Sequence, residues 1–230
     1  MSCKVLITGS GTRLGREIAL GLAGAGCEIC IHYFRAKVAA ESLRDGIVDG
    51  GGRAFAFFSD FNDPNSYAEL YLKVVDALGG LDLLINSASP WEMGSRGGGD
   101  TLACAAIEDW DYRLNVGARA AFFLIQLFSE ELSRSSNGSV INLLDTSISE
   151  PYLKHACHSI SKAALLCVTK LASRSLESVR VNALELGRIL PDGDGGSVGY
   201  NPAVSEVVDA VKLLMEDEDS DGKIIRVRTA

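Results

Sequence analysis

The stretch Lys4-Val5-Leu6-Ile7-Thr8-Gly9-Ser10-Gly11-Thr12-Arg13-Leu14-Gly15 decides how the rest of the chain is read. Val5, Leu6 and Ile7 form the short continuous apolar run of a strand buried on both faces. Glycines follow at positions 9, 11 and 15, and then Leu14, Ile18 and Leu22 recur at helical spacing. A strand that breaks into a glycine-rich turn and reopens as a helix holds phosphate. The glycines admit the anion close to the backbone, and the free N–H groups of the helix N-terminus point at it. Gly9, Thr12, Arg13, Leu14 and Gly15 are therefore the first candidate dinucleotide-binding residues.

Outward from this turn, the pattern alternates. Strands are expected at Cys27–Tyr33, Arg53–Ser59, Leu81–Asn86, Ser139–Leu144, Val179–Leu184 and Lys223–Val227. Between them, helices are expected over Gly15–Ala25, Ala36–Asp49, Asp63–Leu78, Leu102–Arg113, Val116–Ser133, His158–Ser175 and Pro202–Met215, with Asp63 and Pro64 as N-cap and first helical residue. Such alternation gives an α/β fold, a doubly wound parallel sheet of about seven strands with helices on both faces. No linker divides residues 1–230, so one domain is expected.

Composition narrows the class. The formal net charge of −8 argues against nucleic acid or an anionic membrane surface as partner. No run of about 18 apolar residues is present, and the N-terminus lacks the basic start and apolar core of a signal peptide. The six cysteines are read as reduced thiols of a cytoplasmic protein. Cys27 and Cys30 lie in one strand at a spacing that points them to opposite faces, which excludes a redox pair between them.

In doubly wound sheets, ligands sit outside the carboxyl ends of the strands. At the second strand exit stand His32, Tyr33 and Arg35, with no acid to take the ribose hydroxyls of NAD. Arg35, helped by Arg13, instead offers a guanidinium fork for a 2′-phosphate, so NADP(H) is the expected cofactor. Asp60 and Phe61 follow the third strand. There Asp60 has two readings, an acceptor for an adenine amino group or an exposed turn acid. Asn86, Ser87 and Ala88 leave the fourth strand as small residues beside which a cofactor can pass.

Together with Asn115, Lys162 and Arg180-Val181-Asn182, these residues resemble the short-chain dehydrogenase/reductase family over nearly the whole chain. The glycine turn with His32-Tyr33-x-Arg35 looks most like its pteridine reductase and dihydromonapterin reductase branch. The resemblance implies a Rossmann fold, NADPH-dependent hydride transfer to a carbonyl or pterin-like C=N substrate, and a homodimer or homotetramer built on the two long helices. Ala118, Ala121, Phe122, Leu166 and Leu171 could serve that interface or the core. The family's Tyr-x-x-x-Lys reads His158-Ser159-Ile160-Ser161-Lys162 here. Asp145 stands thirteen positions before His158, where the branch carries an aspartate in place of the family's serine. The implied roles are Lys162 on the nicotinamide ribose, Asn115 in the proton relay, and Asp145 with His158 handling the proton. Two readings of His158 stand side by side: a substitute general acid, or the mark of a lost active site on a retained NADP-binding fold that acts as sensor or interaction subunit.

The chain departs from the family pattern elsewhere. Ser87 replaces a second asparagine, Leu186-Gly187 replaces Pro-Gly with Gly187 still expected against the nicotinamide, and the lid segment Pro191–Asn201 is short. Tyr152 lies six residues too early to replace the missing tyrosine directly. His155, Cys157 and His158 lie close enough together for metal ligands, but no further ligand cluster matches them, so no metal is expected. Trp91 is the better candidate of the two tryptophans to line a flat heterocyclic pocket.

Overall fold

The computed structural model describes residues 2–90, 100–187 and 203–227. Trp91, Arg188 and Pro191–Asn201 lie outside the described residues. Seven strands form one parallel sheet in the order β3-β2-β1-β4-β5-β6-β7. They are β1 (Lys4–Ile7), β2 (Glu28–Tyr33), β3 (Arg53–Phe58), β4 (Leu83–Asn86), β5 (Ser139–Asp145), β6 (Arg180–Leu186) and β7 (Ile224–Arg226). The helices are α1 (Arg13–Ala23), α2 (Lys37–Asp49), α3 (Ser66–Leu78), α4 (Ile107–Leu114), α5 (Ala120–Arg134), α6 (Ala156–Ser175) and α7 (Val204–Glu216).

Strand alternation sorts the core onto two faces. Val5, Ile7, Ile29 and Ile31 pack with Ile18 and Leu22 of α1, Leu43 of α2, and Val207 and Val211 of α7. Leu6, Leu84 and Val140 pack on the other face with Leu70 and Val74 of α3 and Leu124 and Phe128 of α5. Cys27 belongs to the first face and Cys30 to the second, as their spacing requires. The strand order reverses between β1 and β4, and this switch point opens the crevice in which such sheets bind ligands.

Several boundaries move. Asp63 and Pro64 do not start α3: Asp63 Oδ1 accepts the Asn65 N–H at 3.0 Å, an Asx turn that delays the helix to Ser66. Residues expected to open α4 at Leu102 form turns, and the helix begins at Ile107 after the extended Ala106. The break expected between α4 and α5 is instead a π-helical turn, Asn115–Arg119, so the two helices run on as one rod. At Gly117 in that turn, a Cβ would stand 2.2 Å from Ser161 Oγ, so a larger residue would have to turn that hydroxyl away from its bond to the Arg113 carbonyl. Of the residues proposed for an interface, Ala118 and Ala121 are buried, whereas Phe122 and Leu171 are exposed. No helix among the described residues is long and apolar enough to cross a membrane.

Candidate active site

The glycine turn is held from three sides. Gly9 has φ +67°, and a Cβ there would meet Ala88 Cα at 2.8 Å, so the turn and the β4 exit touch backbone to backbone. Thr8 fastens the two exits, its Oγ1 accepting the Ser87 and Ala88 N–H groups at 3.0 and 2.9 Å. Gly15 is closed in as well, since a Cβ would lie 2.8 Å from Gly9 O. Arg13 takes φ +54°, a left-handed conformation disfavoured for any residue but glycine. α1 starts at this arginine, with Thr12 as its N-cap and no acidic residue in its first turn.

His32 fills the third side. Its Nδ1 accepts the Gly9 N–H at 2.9 Å, and its Nε2 donates to the Ser59 carbonyl at 3.0 Å. The ring is buried and stacks on Phe61 with centroids 4.1 Å apart. Burial outweighs the Ser59 hydrogen bond and pushes its pKa down to about 4. By sequence, His32 is an expected cofactor contact. The ring borders the cleft, but both nitrogens are engaged inward, so it braces the turn rather than offering a hydrogen bond outward.

One cleft of about 1000 Å³ runs along the carboxyl ends of the strands. Gly9, Thr12, Arg13, Leu14, Gly15, Tyr33, Arg35, Asp60, Phe61, Ser87 and Ala88 line one end of it. Asp145, His158, Lys162, Leu186 and Gly187 line the other. The Arg35 guanidinium lies 5.3 Å from the Phe34 ring centroid. Asp60 Oδ1 accepts the Asn62 N–H at 2.9 Å, which engages one carboxylate oxygen in its own turn.

Two expected contacts are not brought to the cleft. Asn86 is buried and donates through Nδ2 to Asn142 Oδ1 at 2.8 Å, in a chain that continues to Thr169. Its amide answers the need of a buried polar group for partners, not of a ligand. Asn115 is the residue at which the π turn starts, and its Nδ2 lies 3.4 Å from Asn62 Oδ1. It is absent from the cleft lining.

At the other end, the thirteen-residue spacing closes as a pair: His158 Nε2 lies 2.6 Å from Asp145 Oδ2. The other oxygen, Asp145 Oδ1, accepts the Ser147 N–H at 2.9 Å and the Ser147 hydroxyl. Burial pushes the Asp145 carboxyl up, but the His158 hydrogen bond, the Lys162 charge and Ser147 overcome it and hold the pKa at about 2. The carboxylate is therefore a fixed negative charge. Lys162 is buried and donates to the Leu143 carbonyl at 2.7 Å. Burial lowers its pKa, and Asp145 partly restores it. His158 itself is 2% exposed.

Some residues of the site, Arg226, Asp100 and Arg113 among them, carry no site signal in the sequence, and Tyr152 is considered there only as a direct replacement for the tyrosine. Tyr152 comes back to the cleft through the turn after β5, its ring parallel to that of His158 with centroids 6.2 Å apart. Its hydroxyl lies 2.7 Å from Thr146 Oγ1. Arg226 of β7 borders the cleft, with its Nε donating to Glu185 Oε1 at 2.9 Å. A buried ion pair, Arg113 Nε to Asp100 Oδ2 at 2.7 Å, anchors the segment before α4 while Arg113 also donates to the Pro90 carbonyl. No group of three or more His, Cys, Asp or Glu side chains that could hold a metal lies among the described residues.

The short chain dehydrogenase family model matches residues 4–195. The chain belongs to the short-chain dehydrogenase family. A 3-oxoacyl-[acyl-carrier-protein] reductase FabG from Staphylococcus aureus is 29% identical over 195 residues, covering 84% of this chain and 76% of that protein. A short-chain type dehydrogenase/reductase from Picea abies is 27% identical over 184 residues, 77% of this chain and 66% of that one. Among solved structures, FolM alternative dihydrofolate reductase 1 from Brucella suis in complex with NADP aligns at TM-score 0.87 and 25% identity. That alignment covers 98% of this chain and 93% of the other. The chain is thus an oxidoreductase of this family with the family's seven-stranded architecture.

Proposed function

We propose that this chain is an NADPH-dependent reductase acting on a carbonyl or a pterin-like C=N bond. The observation that carries the reading is that Arg13 and Arg35 share one cleft with the Asp145–His158 pair. The likeness to a FolM structure solved with NADP supports the cofactor, and the FabG and FolM relatives support reduction as the direction.

The residues fit the cofactor by their chemistry. The two arginines present cationic forks to a 2′-phosphate, and the α1 N-terminus, free of acids, presents backbone N–H groups to a pyrophosphate. NADPH, when bound, supplies the hydride. The chain supplies position and a proton. Lys162, fixed on the Leu143 carbonyl, faces the ribose. Asp145, anchored by Ser147, holds the His158 ring in one orientation, and the pair keeps a proton between Oδ2 and Nε2 at the cleft wall. A homodimer or homotetramer, with exposed Phe122 and Leu171 on the long helices, completes the proposal.

Calorimetric titration with NADPH and NADH comes first, followed by a screen of carbonyl and pterin substrates. Tight NADPH binding with weak NADH binding is expected. Turnover by the native chain, abolished in His158→Ala, establishes the Asp145–His158 pair as the proton source. A native chain that binds NADPH without turnover, and gains it in His158→Tyr, is instead a disabled homologue. Binding of neither nucleotide overturns the proposal.

A further inference from the structure

At the opposite end of the sheet from the cleft, two cysteines meet. Cys3 immediately precedes β1 and Cys27 immediately precedes β2, and the register Lys4↔Glu28 carries on to them, with the Glu28 N–H donating to the Cys3 carbonyl at 2.8 Å. Neighbouring strands lie about 4.8 Å apart, within the Cα separation of about 4.4–6.8 Å that a disulfide spans. Both side chains point to the same face, since both belong to the apolar layer under α1 and α7. A third sulfur, Met215 Sδ of α7, lies 3.8 Å from Cys3 Sγ.

The two sulfurs differ in access, and either reacts with oxidants in its thiolate form. Cys3 is half-buried and gives a small oxidant its way in, whereas Cys27 is covered.

We propose that Cys3 and Cys27 are an oxidisable dithiol that closes to an intramolecular disulfide under hydrogen peroxide. The accessible Cys3 sulfur attacks peroxide, the O–O bond breaks, and a sulfenic acid and one water result. The Cys27 thiol then attacks the sulfenic sulfur, the S–O bond breaks, and the second water leaves as the S–S bond forms. Two thiols lose two electrons and two protons, and peroxide is reduced to two waters. The bond ties together the two ends of the unit β1–turn–α1–β2, which carries the glycine turn. Closing a loop of that length raises the melting temperature of a chain this size by roughly 5–10 °C.

The test is to treat the reduced full-length protein with hydrogen peroxide, block remaining thiols with N-ethylmaleimide, and map the digest by mass spectrometry without reduction. A cross-linked pair of peptides containing Cys3 and Cys27 is expected. Its appearance accompanies the rise in melting temperature, and both are reversed by dithiothreitol and absent in Cys3→Ser. A Cys104→Ser/Cys167→Ser background, which removes the exposed thiols, keeps the same cross-link. The inference is overturned if Cys3 and Cys27 are recovered alkylated while Cys104 and Cys167 are oxidised. It is equally overturned if Cys3 or Cys27 goes to sulfinic acid unlinked, or if either one links to a different cysteine.

Discussion

His32 accepts the Gly9 N–H on Nδ1, 2.9 Å away, and can do so only while that nitrogen carries no proton. With Nε2 donating to the Ser59 carbonyl, the ring is the neutral Nε2–H tautomer, and it links the glycine turn to the exit of β3. Protonation would set two N–H groups against each other at Gly9.

A pH dependence of stability follows. The folded pKa of His32 is about 4, below the ordinary value of 6.5. Between these two values the unfolded chain binds the extra proton, so stability is fully present above about pH 6.5 and is lost as pH falls toward 4. The shift corresponds to about 3 kcal/mol. Urea midpoints measured from pH 7.5 to 4 should fall for the native chain and fall less for His32→Gln, which cannot titrate. Parallel curves for the two proteins would show that the ring is not held neutral.

Asp145 sets a second, lower window. Its pKa of about 2 lies below the ordinary 3.8, so its contribution is present above about pH 4 and disappears as pH drops toward 2. Asp145→Asn keeps the shape and an acceptor for Ser147 but removes the charge that holds His158. NADPH affinity should change by less than threefold, because the carboxylate is at the other end of the cleft. The rate constant kcat should drop about 100-fold or more, the scale of general acid catalysis. An unchanged kcat would dissociate Asp145 from the proton step.

Gly9 and Gly26 separate strain from crowding. Both have positive φ, +67° and +88°, but a Cβ at Gly9 meets Ala88 Cα at 2.8 Å, while one at Gly26 meets nothing within 4 Å. Gly26→Ala should cost about 1 kcal/mol, the backbone effect alone. Gly9→Ala should cost about 3 kcal/mol, because the β4 exit must move, and NADPH binding should weaken with it. Equal losses in urea unfolding would mean that the Ala88 contact yields without cost.

The difference between what the sequence disclosed and what it hid has a physical origin. Apolar runs such as Val5–Ile7, punctuated by Gly9, Gly11 and Gly15, report local backbone demands, so the strand, the turn and the start of α1 were readable. The Asp145–His158 pair was readable through the family resemblance, which places an aspartate thirteen residues before the Tyr-x-x-x-Lys position. The inward turn of Asn86 was hidden, because an asparagine at a strand exit looks the same whether it faces a ligand or Asn142. The π turn at Asn115–Arg119 inserts one residue into a helix without altering the residue types, so periodicity passes over it. The Asp100–Arg113 pair joins distant segments, and nothing local marks either residue. His32 showed as a polar residue at a strand exit, but not which way its nitrogens point.

Cofactor choice gives the last prediction. Arg13 and Arg35 border the same end of the cleft, at the exits of β1 and β2, and among the described residues that line that end Asp60, one carboxylate oxygen engaged in its own turn, is the acid. Arg35 lies at the end of β2 beside Phe34, whose ring leaves its guanidinium restricted in direction. A charge-assisted contact to a phosphate is worth about 1.5–3 kcal/mol. Arg35→Ala should therefore raise the Kd for NADPH by roughly 10–100-fold and leave that for NADH nearly unchanged. Arg13→Ala should weaken NADPH similarly, but it also replaces a residue at φ +54° with one no better suited to it, so Arg13→Gly is the cleaner variant. Because Gly relieves the strain while removing the charge, Arg13→Gly should lose NADPH affinity without losing stability. Calorimetry and urea unfolding on the two variants measure these effects separately. A parallel loss of NADPH and NADH affinity would show that the arginines shape the turn and do not read the 2′-phosphate.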